Sequence, residues 1–547
     1  MEKQFTSDET GAINIVHDAV DRWANDEEKA GRNALIFEKG GKIQEFTYSR
    51  LKEISSQWAN LFVEYGFAAG DRMLILLPSC PETYFAMLAC ARLGIIFSIL
   101  FETLTFDEID LRLQNSGPRG IITHPDMAER FPQRAVPGLE HVFLTESREL
   151  SSPFPNAIII SELLKDLPKV CGARWLKPSS PLYLSYTTSG STGPPKGIVH
   201  SHYDMVGYLA TAKYVLDLKD DSVLWTDSGD PAWVTGIVYG AFAPWLCGIS
   251  SVVQGERFSA STWYRTLETH RVSVWYTTPR TITRLMEAGD DLPRRYDLSS
   301  LRHILTVGET LGPEQLYWAK RILKISPHDN WWMTETGMIC IANYPSMNIK
   351  AGSMGKPVPG IEVALLDDEG MPLPEDTIGE LAIRPGWPGM MTEVWQDLPE
   401  YQAYFRFKDW FLTGDMATRD LDGYYYHNGR NDDLIKVGQR DMGPYEVERI
   451  ICLHQAVAEA ATISVRPPGG YPEFRVFVRV KDGITPSGRL KLEIKNFVKA
   501  SFSPEIPLND IVFSDELPRT RSGMILQRAL LAKELGLPIG DTGKLRE

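Results

Sequence analysis

The stretch Arg72–Gly94, RMLILLPSCPETYFAMLACARLG, decides the fold. Its first part, RMLILL over Arg72 to Leu77, is apolar on successive positions after the arginine, as a strand covered on both faces must be. A proline-containing break follows. Glu82 to Leu93 then has the length and composition of a helix, and Gly94 supplies its stop. Farther on, Gly120 to Thr123 reads as another buried strand. Short apolar strands alternating with helices predict an α/β fold with parallel sheets. Pro181 to Tyr186 and Ile249 to Val253 read as further strands of the same kind, and no internal repeat is visible. After Asp415 the character changes. The polar, turn-rich passage TRDLDGYYYHNGRNDD precedes a smaller unit of about a hundred residues with strands and helices of its own. This predicts a large α/β domain over residues 1–431 and a small α+β domain over residues 432–547, with a hinge at Asp432.

A chain of 547 residues exceeds the size at which one hydrophobic core stops growing, so at least two folded units are required. Apolar residues make up 43% and charged residues 23%, the balance of a packed globular protein rather than a disordered one. The formal charge of −14 repels a polyphosphate backbone, which argues against nucleic acid as a partner. Neither the N-terminus, MEKQFTSDETGAINIVHDAV, nor any later window offers the apolar run of a leader or a membrane span, so a cytoplasmic location is expected. The six cysteines, Cys80, Cys90, Cys171, Cys247, Cys340 and Cys452, lack the spacing of a metal site and are expected to be buried free thiols.

The strongest local signal is Thr187-Thr188-Ser189-Gly190-Ser191-Thr192-Gly193-Pro194-Pro195-Lys196-Gly197. Glycines allow close approach of backbone to ligand, hydroxyls and N–H groups donate to phosphate oxygens, and Lys196 adds positive charge. The lysine precedes a glycine, so this is a polyphosphate clamp of a different pattern from the Walker loop. Standing alone, such a loop is equally at home as a plain surface turn. It is followed, however, by Thr306-Val307-Gly308-Glu309-Thr310, by Asp329-Asn330-Trp331-Trp332-Met333-Thr334-Glu335-Thr336-Gly337, by Thr413-Gly414-Asp415, by Gly429-Arg430-Asn431-Asp432-Asp433 and by Leu517-Pro518-Arg519-Thr520-Arg521-Ser522-Gly523. A carboxylate such as Glu335 can hold Mg²⁺ against phosphate oxygens, Asp415 can accept both hydroxyls of a ribose, and Arg430 can donate to ribose or phosphate.

In this order and spacing, the motifs resemble those of the superfamily of acyl-CoA synthetases, luciferases and peptide-synthetase adenylation domains, over nearly the whole chain. The resemblance is greatest to the AMP-forming acetyl-CoA synthetases, which carry a Trp-Trp-Gln-Thr-Glu-Thr-Gly stretch where this chain has Trp331 to Gly337. It implies a small carboxylic acid, ATP and coenzyme A as substrates, with Mg²⁺, and an acyl-adenylate intermediate in a reaction that can run in either direction. By that resemblance Thr188, Ser189, Gly190, Ser191, Thr192, Gly193 and Lys196 hold the terminal phosphates. Gly308, Glu309, Thr310, Asp329, Asn330 and Trp331 form the adenine pocket, Thr334 and Glu335 serve phosphate and Mg²⁺, and Asp415 and Arg430 bind the ribose. Trp332 closes an acyl pocket lined by Trp233, Val234, Thr235 and Val307, a size suited to acetate or propionate.

Two positions depart from the family. Its last motif ends Arg-Ser-Gly-Lys, and the lysine stabilises charge during adenylation; here the residue is Met524. Methionine keeps the unbranched stem and loses the ammonium. Lys436 as a substitute cation, a protein that works on preformed acyl-adenylate, and an introduced replacement all accommodate this. The loop that lines the coenzyme A tunnel in relatives also has its glycine, Gly438, one place early, which leaves open a carrier-protein thiol as acceptor or a catalytically silent nucleotide-binding protein. Removing one preorganised donor costs on the order of 10²–10³ in turnover. Met524→Lys is therefore expected to raise acetate-dependent ATP–pyrophosphate exchange by about that factor, and an unchanged rate would show that another cation already serves.

Overall fold

Arg72–Leu76 is a strand with its last four residues buried, and Glu82–Leu93 is the helix that follows. Gly94 caps that helix in the left-handed region, at φ 77°, with Ala69 and Leu176 so close that a Cβ would lie 3.0 Å from each. Only glycine meets both demands. The computed structural model describes residues 5–132, 136–147, 154, 156–188, 195–430, 435–437, 440–465, 473–501, 506–519, 525 and 527–535. The strands expected at Gly120–Thr123, Pro181–Tyr186 and Ile249–Val253 are present as Gly120–Thr123, Pro181–Thr188 and Ser250–Gln254.

The chain divides into two compact units: one holds Met1–Thr187, Pro195–Gly360 and Gly386–Gln402, and the other is built chiefly from Ile361–Pro385 and Ala403–Glu547. The first unit contains two large sheets. In the eight-stranded one, Arg72–Leu76 is flanked by parallel Ile96–Ile99 and Gly120–Thr123, and Pro181–Thr188 and Pro195–Ser201 extend it on the Ile96–Ile99 side. In the nine-stranded one, six parallel strands run in the order His328–Trp331, His303–Thr306, Val274–Thr277, Val223–Thr226, Ser250–Gln254, Asn33–Lys39, with antiparallel strands added at both edges. One face of this sheet is covered by a tryptophan cluster in which Trp225 stacks on Trp275 and tilts against Trp263.

A buried ion pair ties the N-terminal segment down. Arg92 donates to both carboxylate oxygens of Asp21 at 2.7 Å and also to the Cys171 carbonyl and the Ser55 hydroxyl. Breaking such a pair by removing one partner costs about 3–5 kcal/mol, because the other charge stays buried alone.

The second unit carries a four-stranded antiparallel sheet of Val363–Leu366, Gly379–Ile383, Phe411–Arg419 and Tyr425–Arg430. The turn-rich passage after Asp415 is thus largely a hairpin. Its bend is set by Asp420, whose Oδ1 accepts the N–H groups of Asp422 and Tyr424. A three-stranded sheet with helices Pro444–Ile451 and Gly488–Ser501 follows, around Val447, Ile451, Val476, Ile494 and Ile511. The residue 431/432 boundary read from the sequence falls within residues 431–434, outside the described residues. No helix among the described residues is long and apolar enough to cross a membrane. All six cysteines are free thiols, but only Cys90, Cys247 and Cys340 are buried; Cys452 is exposed, contrary to the expectation for it, because it lies at the end of a surface helix.

At the first residues of their strands, His303 and His328 meet edge to face with ring centroids 4.6 Å apart. His303 Nε2 donates to the Val215 carbonyl and His328 Nδ1 to that of Asn343, both at 3.1 Å. Burial, reinforced by the neighbouring histidine, pulls His303 down from 6.5 to about 3, and burial lowers His328 as well. A folded-state pKa below the unfolded value means that the unfolded chain takes up protons the fold refuses. For His303 the contribution is complete above about pH 6.5 and is lost as pH falls toward 3, by about 1.4 kcal/mol per pH unit. His303→Gln keeps a donor for Val215 and removes the titration. Its denaturant midpoint, followed by tryptophan fluorescence, should fall less than that of the unmodified protein between about pH 7.5 and 5; parallel falls would contradict this.

Candidate active site

Val223–Thr226 lies between Ser250–Gln254 and Val274–Thr277, so the chain leaves this strand to one side and returns to the other. The crevice beyond the carboxyl ends of the strands at such a reversal is where open α/β sheets bind ligands. Four adjacent parallel strands end there and deliver Asp227, Thr278, the Val307–Thr310 loop and the Trp332–Thr336 turn.

Register places Thr277 beside Thr306 and Thr306 beside Asp329. The Thr306 hydroxyl donates to Asp329 Oδ1 at 2.7 Å, and the Leu311 N–H donates to Oδ2 at 3.2 Å. One carboxylate thus pins both ends of the loop that holds Val307, Gly308, Glu309 and Thr310. Gly308, at φ 96°, and Glu309 are exposed at its tip, whereas Val307 is buried. Asn330 donates from Nδ2 to the Thr306 carbonyl at 2.9 Å and accepts the Tyr276 hydroxyl at 2.8 Å, and Tyr276 accepts the Trp332 indole N–H at 3.0 Å. The side chains of Asp329 and Asn330 thus hold the loop and the neighbouring strands together, and Trp331, next in the chain, is 8% exposed.

Trp332 is held a second way, with Tyr239 meeting it edge to face at 5.1 Å. Tyr239 shares a hydrogen bond with the Thr211 hydroxyl and accepts the Ile339 N–H, both at 2.9 Å. It belongs to the helical segment Val238–Phe242 that continues directly from Val234–Ile237, so the helix bearing Val234 and Thr235 reaches Trp332 through this tyrosine. Trp233, just before that helix, packs edge-on to Phe101. Tyr239 and Tyr276 went unread in the sequence because a tyrosine in an apolar strand or helix has no spacing that sets it apart from ordinary core.

Thr334–Thr336 is a single helical turn closed by Gly337 at φ 65°. Its three carbonyls are each taken by an outside donor: Thr334 by His200 Nε2 at 2.8 Å, Glu335 by the Met391 N–H at 3.0 Å, Thr336 by the Trp387 indole N–H at 2.9 Å. Glu335 is 5% exposed. One carboxylate on a rigid turn, completed by phosphate oxygens and water, is the oxygen donor set that Mg²⁺ prefers. Lys196, near the start of Pro195–Ser201, is ion-paired with Glu400. Thr188 ends the strand before the clamp, while Ser189, Gly190, Ser191, Thr192 and Gly193 lie outside the described residues, as do Asp432 and Met524.

In the second unit, Asp415 and Arg430 face each other across neighbouring strands, with Arg430 donating to Asp415 Oδ1 at 2.8 Å. His427 Nε2 lies 3.4 Å from the other carboxylate oxygen. Gly414, at φ 72°, lets the backbone turn beneath the guanidinium, 2.9 Å from where a Cβ would stand.

Burial raises Asp329 from 3.8 to about 7, against the hydrogen bonds from Thr306 and Leu311. A raised folded-state pKa contributes stability below about pH 3.8 that is lost as pH rises through about 7. Asp329→Asn keeps an acceptor for Thr306 and removes the charge. The variant should lose less thermal stability than the unmodified protein between about pH 6 and 8, and an equal loss would mean that the carboxylate is ionised throughout.

The chain matches the family model described as AMP-binding enzyme over residues 20–395 and that of the AMP-binding enzyme C-terminal domain over residues 446–524. It is 41% identical to an acetyl-coenzyme A synthetase of Bacillus subtilis (strain 168) over 98% of this chain and 93% of that protein. It is 34% identical to one of Pyrobaculum aerophilum, over 98% and 85%. Among solved structures it is similar to an anthranilate CoA ligase in complex with anthranoyl-AMP, with a TM-score of 0.85 at 26% identity over 98% of this chain and 99% of that one. A benzoate CoA ligase from Burkholderia xenovorans LB400 gives a TM-score of 0.82 at 26% identity, over 95% and 99%.

Proposed function

Because this chain belongs to the AMP-binding enzyme family, we propose that it ligates acetate to coenzyme A, with ATP cleaved to AMP and pyrophosphate. An acetate oxygen attacks the α-phosphorus of ATP and pyrophosphate leaves; the coenzyme A thiol, giving up its proton, then attacks the acyl carbon and AMP leaves. The enzyme is an AMP-forming acid–thiol ligase. We infer a cytoplasmic location, where both ATP and coenzyme A are supplied.

Within that reading the segment Thr188 to Gly197, with Lys196, holds the β- and γ-phosphates. The exposed tip at Gly308 and Glu309, on the frame made by Asp329 and Asn330, takes the adenine. Asp415 and Arg430 take the ribose, and Thr334 and Glu335 take phosphate and metal. When bound, Mg²⁺ neutralises the oxygens of the departing pyrophosphate. Asp432 keeps the pivot role that the family resemblance gives it, and Met524 in place of the lysine slows the first half-reaction.

The observation that favours a small acid is the fixing of Trp332. Its indole N–H is bonded to Tyr276 and its face is met by Tyr239. An indole held at two points does not swing aside for a longer chain, and a methylene that cannot fit is rejected by strain. Acetate and propionate should support ATP–pyrophosphate exchange well above butyrate, and Trp332→Gly should shift the preference toward longer acids by at least about tenfold. No exchange with any acid, alongside acetyl-CoA formation from preformed acetyl-adenylate, would confine the protein to the second half-reaction. Failure of both would leave a nucleotide-binding protein and end the ligase reading.

A further inference from the structure

We propose that His200, set by Asp204, is a positioning residue that fixes the Thr334–Glu335 turn against the strand leaving the phosphate clamp; this rests on the ligase reading above. His200 lies on Pro195–Ser201, four residues beyond Lys196, and is fully buried. Its Nε2 stands 2.8 Å from the Thr334 carbonyl. A carbonyl only accepts, so Nε2 carries the hydrogen. Its Nδ1 stands 2.7 Å from Asp204 Oδ2, and Asp204 Oδ1 accepts the Ser201 hydroxyl at 2.6 Å. Both ring nitrogens thus have assigned partners.

The ring has no room to turn. Tyr183 stacks on one face at 4.9 Å and 26°, itself anchored by a hydroxyl bond to Tyr208. Along the edge, a Cβ on Gly337 would lie 2.5 Å from His200 Cε1 and 2.1 Å from the Gly389 carbonyl oxygen. The acidic turn therefore sits flush against the imidazole, a fit that only glycine permits. A buried imidazole–carboxylate pair is costly unless its direction matters, since apolar side chains of similar volume would fill the same space at less desolvation. Here the direction is toward the first carbonyl of the turn that carries Glu335. Of the three donors on that turn, His200 is the one that comes from the strand continuing the phosphate clamp. A single bond thus registers Pro195–Ser201, the strand that carries Lys196, to the turn that carries the carboxylate assigned to the metal. Groups that orient a ligand through one intermediate bond typically change metal affinity or activity about 10–100-fold when removed.

His200→Phe fills the space and removes both bonds, whereas His200→Gln offers its amide NH₂ where Nε2–H stood. Both variants would be assayed for the Mg²⁺ concentration that half-saturates acetate-dependent exchange, for kcat and KM with acetate, and for acetyl-CoA formation from preformed acetyl-adenylate, which needs neither Mg²⁺ nor ATP. The phenylalanine variant should require more Mg²⁺ and lose about 10–100-fold in exchange kcat. Its KM for acetate and its second half-reaction should stay within about twofold of the unmodified values, and glutamine should recover most of the loss. An unchanged Mg²⁺ requirement, or equal loss in both half-reactions with no recovery by glutamine, would overturn the proposal and leave His200 as packing. If the phenylalanine variant does not fold, Asp204→Asn beside His200→Gln reads the same contrast. Should the unmodified protein show no exchange, the ligase reading falls separately, and the Mg²⁺ dependence of ATP binding by calorimetry in the same variants still decides the role of His200.

Discussion

A single relay of hydrogen bonds organises the crevice: Trp332 to Tyr276, Tyr276 to Asn330, Asn330 to the Thr306 carbonyl, Thr306 to Asp329, and Leu311 back to Asp329. Each member is buried, so each bond left unmade would cost the full desolvation of the group stranded. The relay crosses three neighbouring parallel strands and ends on the two features to which the proposed function assigns acid and adenine, an indole and a loop with an exposed tip. Parallel pairing makes this possible, because it brings the carboxyl ends of strands distant in sequence to one edge. Nothing local to any one strand could hold Trp332 and Gly308 in a fixed relation.

Much of this was legible from the chain itself. RMLILL and the helix to Gly94 announced a parallel α/β fold, since strands buried on both faces have no polar alternation to display. The motifs were equally plain, and those within the described part of the first unit do gather at strand ends. Less legible was what the motif residues do to one another. Asp329 and Asn330 were read as part of an adenine pocket; that their side chains also hold the loop and the sheet was not visible. His200, Tyr239 and Tyr276 carry no spacing signature, because their partners lie far away in sequence. The passage from Thr418 to Asp433 looked like punctuation because of its Asp and Gly content, although its described part is largely a hairpin whose register only pairing reveals.

Protons divide this molecule in two directions. His202, His303 and His328 are held neutral by burial, and acid works against them. Asp227 and Asp329, held near 6 and 7 by the same cause, are favoured by acid and opposed by base. Burial disfavours charge of either sign, so the two sets partly offset each other in the mildly acidic range. Asp227 follows the last residue of Val223–Thr226, whereas His303 and His328 open their strands, His328 immediately before Asp329. At His328 and Asp329 the two opposing sensitivities therefore meet within one strand.

With Lys196 assigned to the phosphates as proposed above, its ion pair with Glu400 bears on how ATP would be recognised. An ammonium already matched by a carboxylate does not present a bare charge to an arriving polyphosphate; it trades one anion for another. On that reading the affinity that Lys196 contributes is a difference between two ion pairs, and Glu400 is the resident anion that an incoming phosphate displaces.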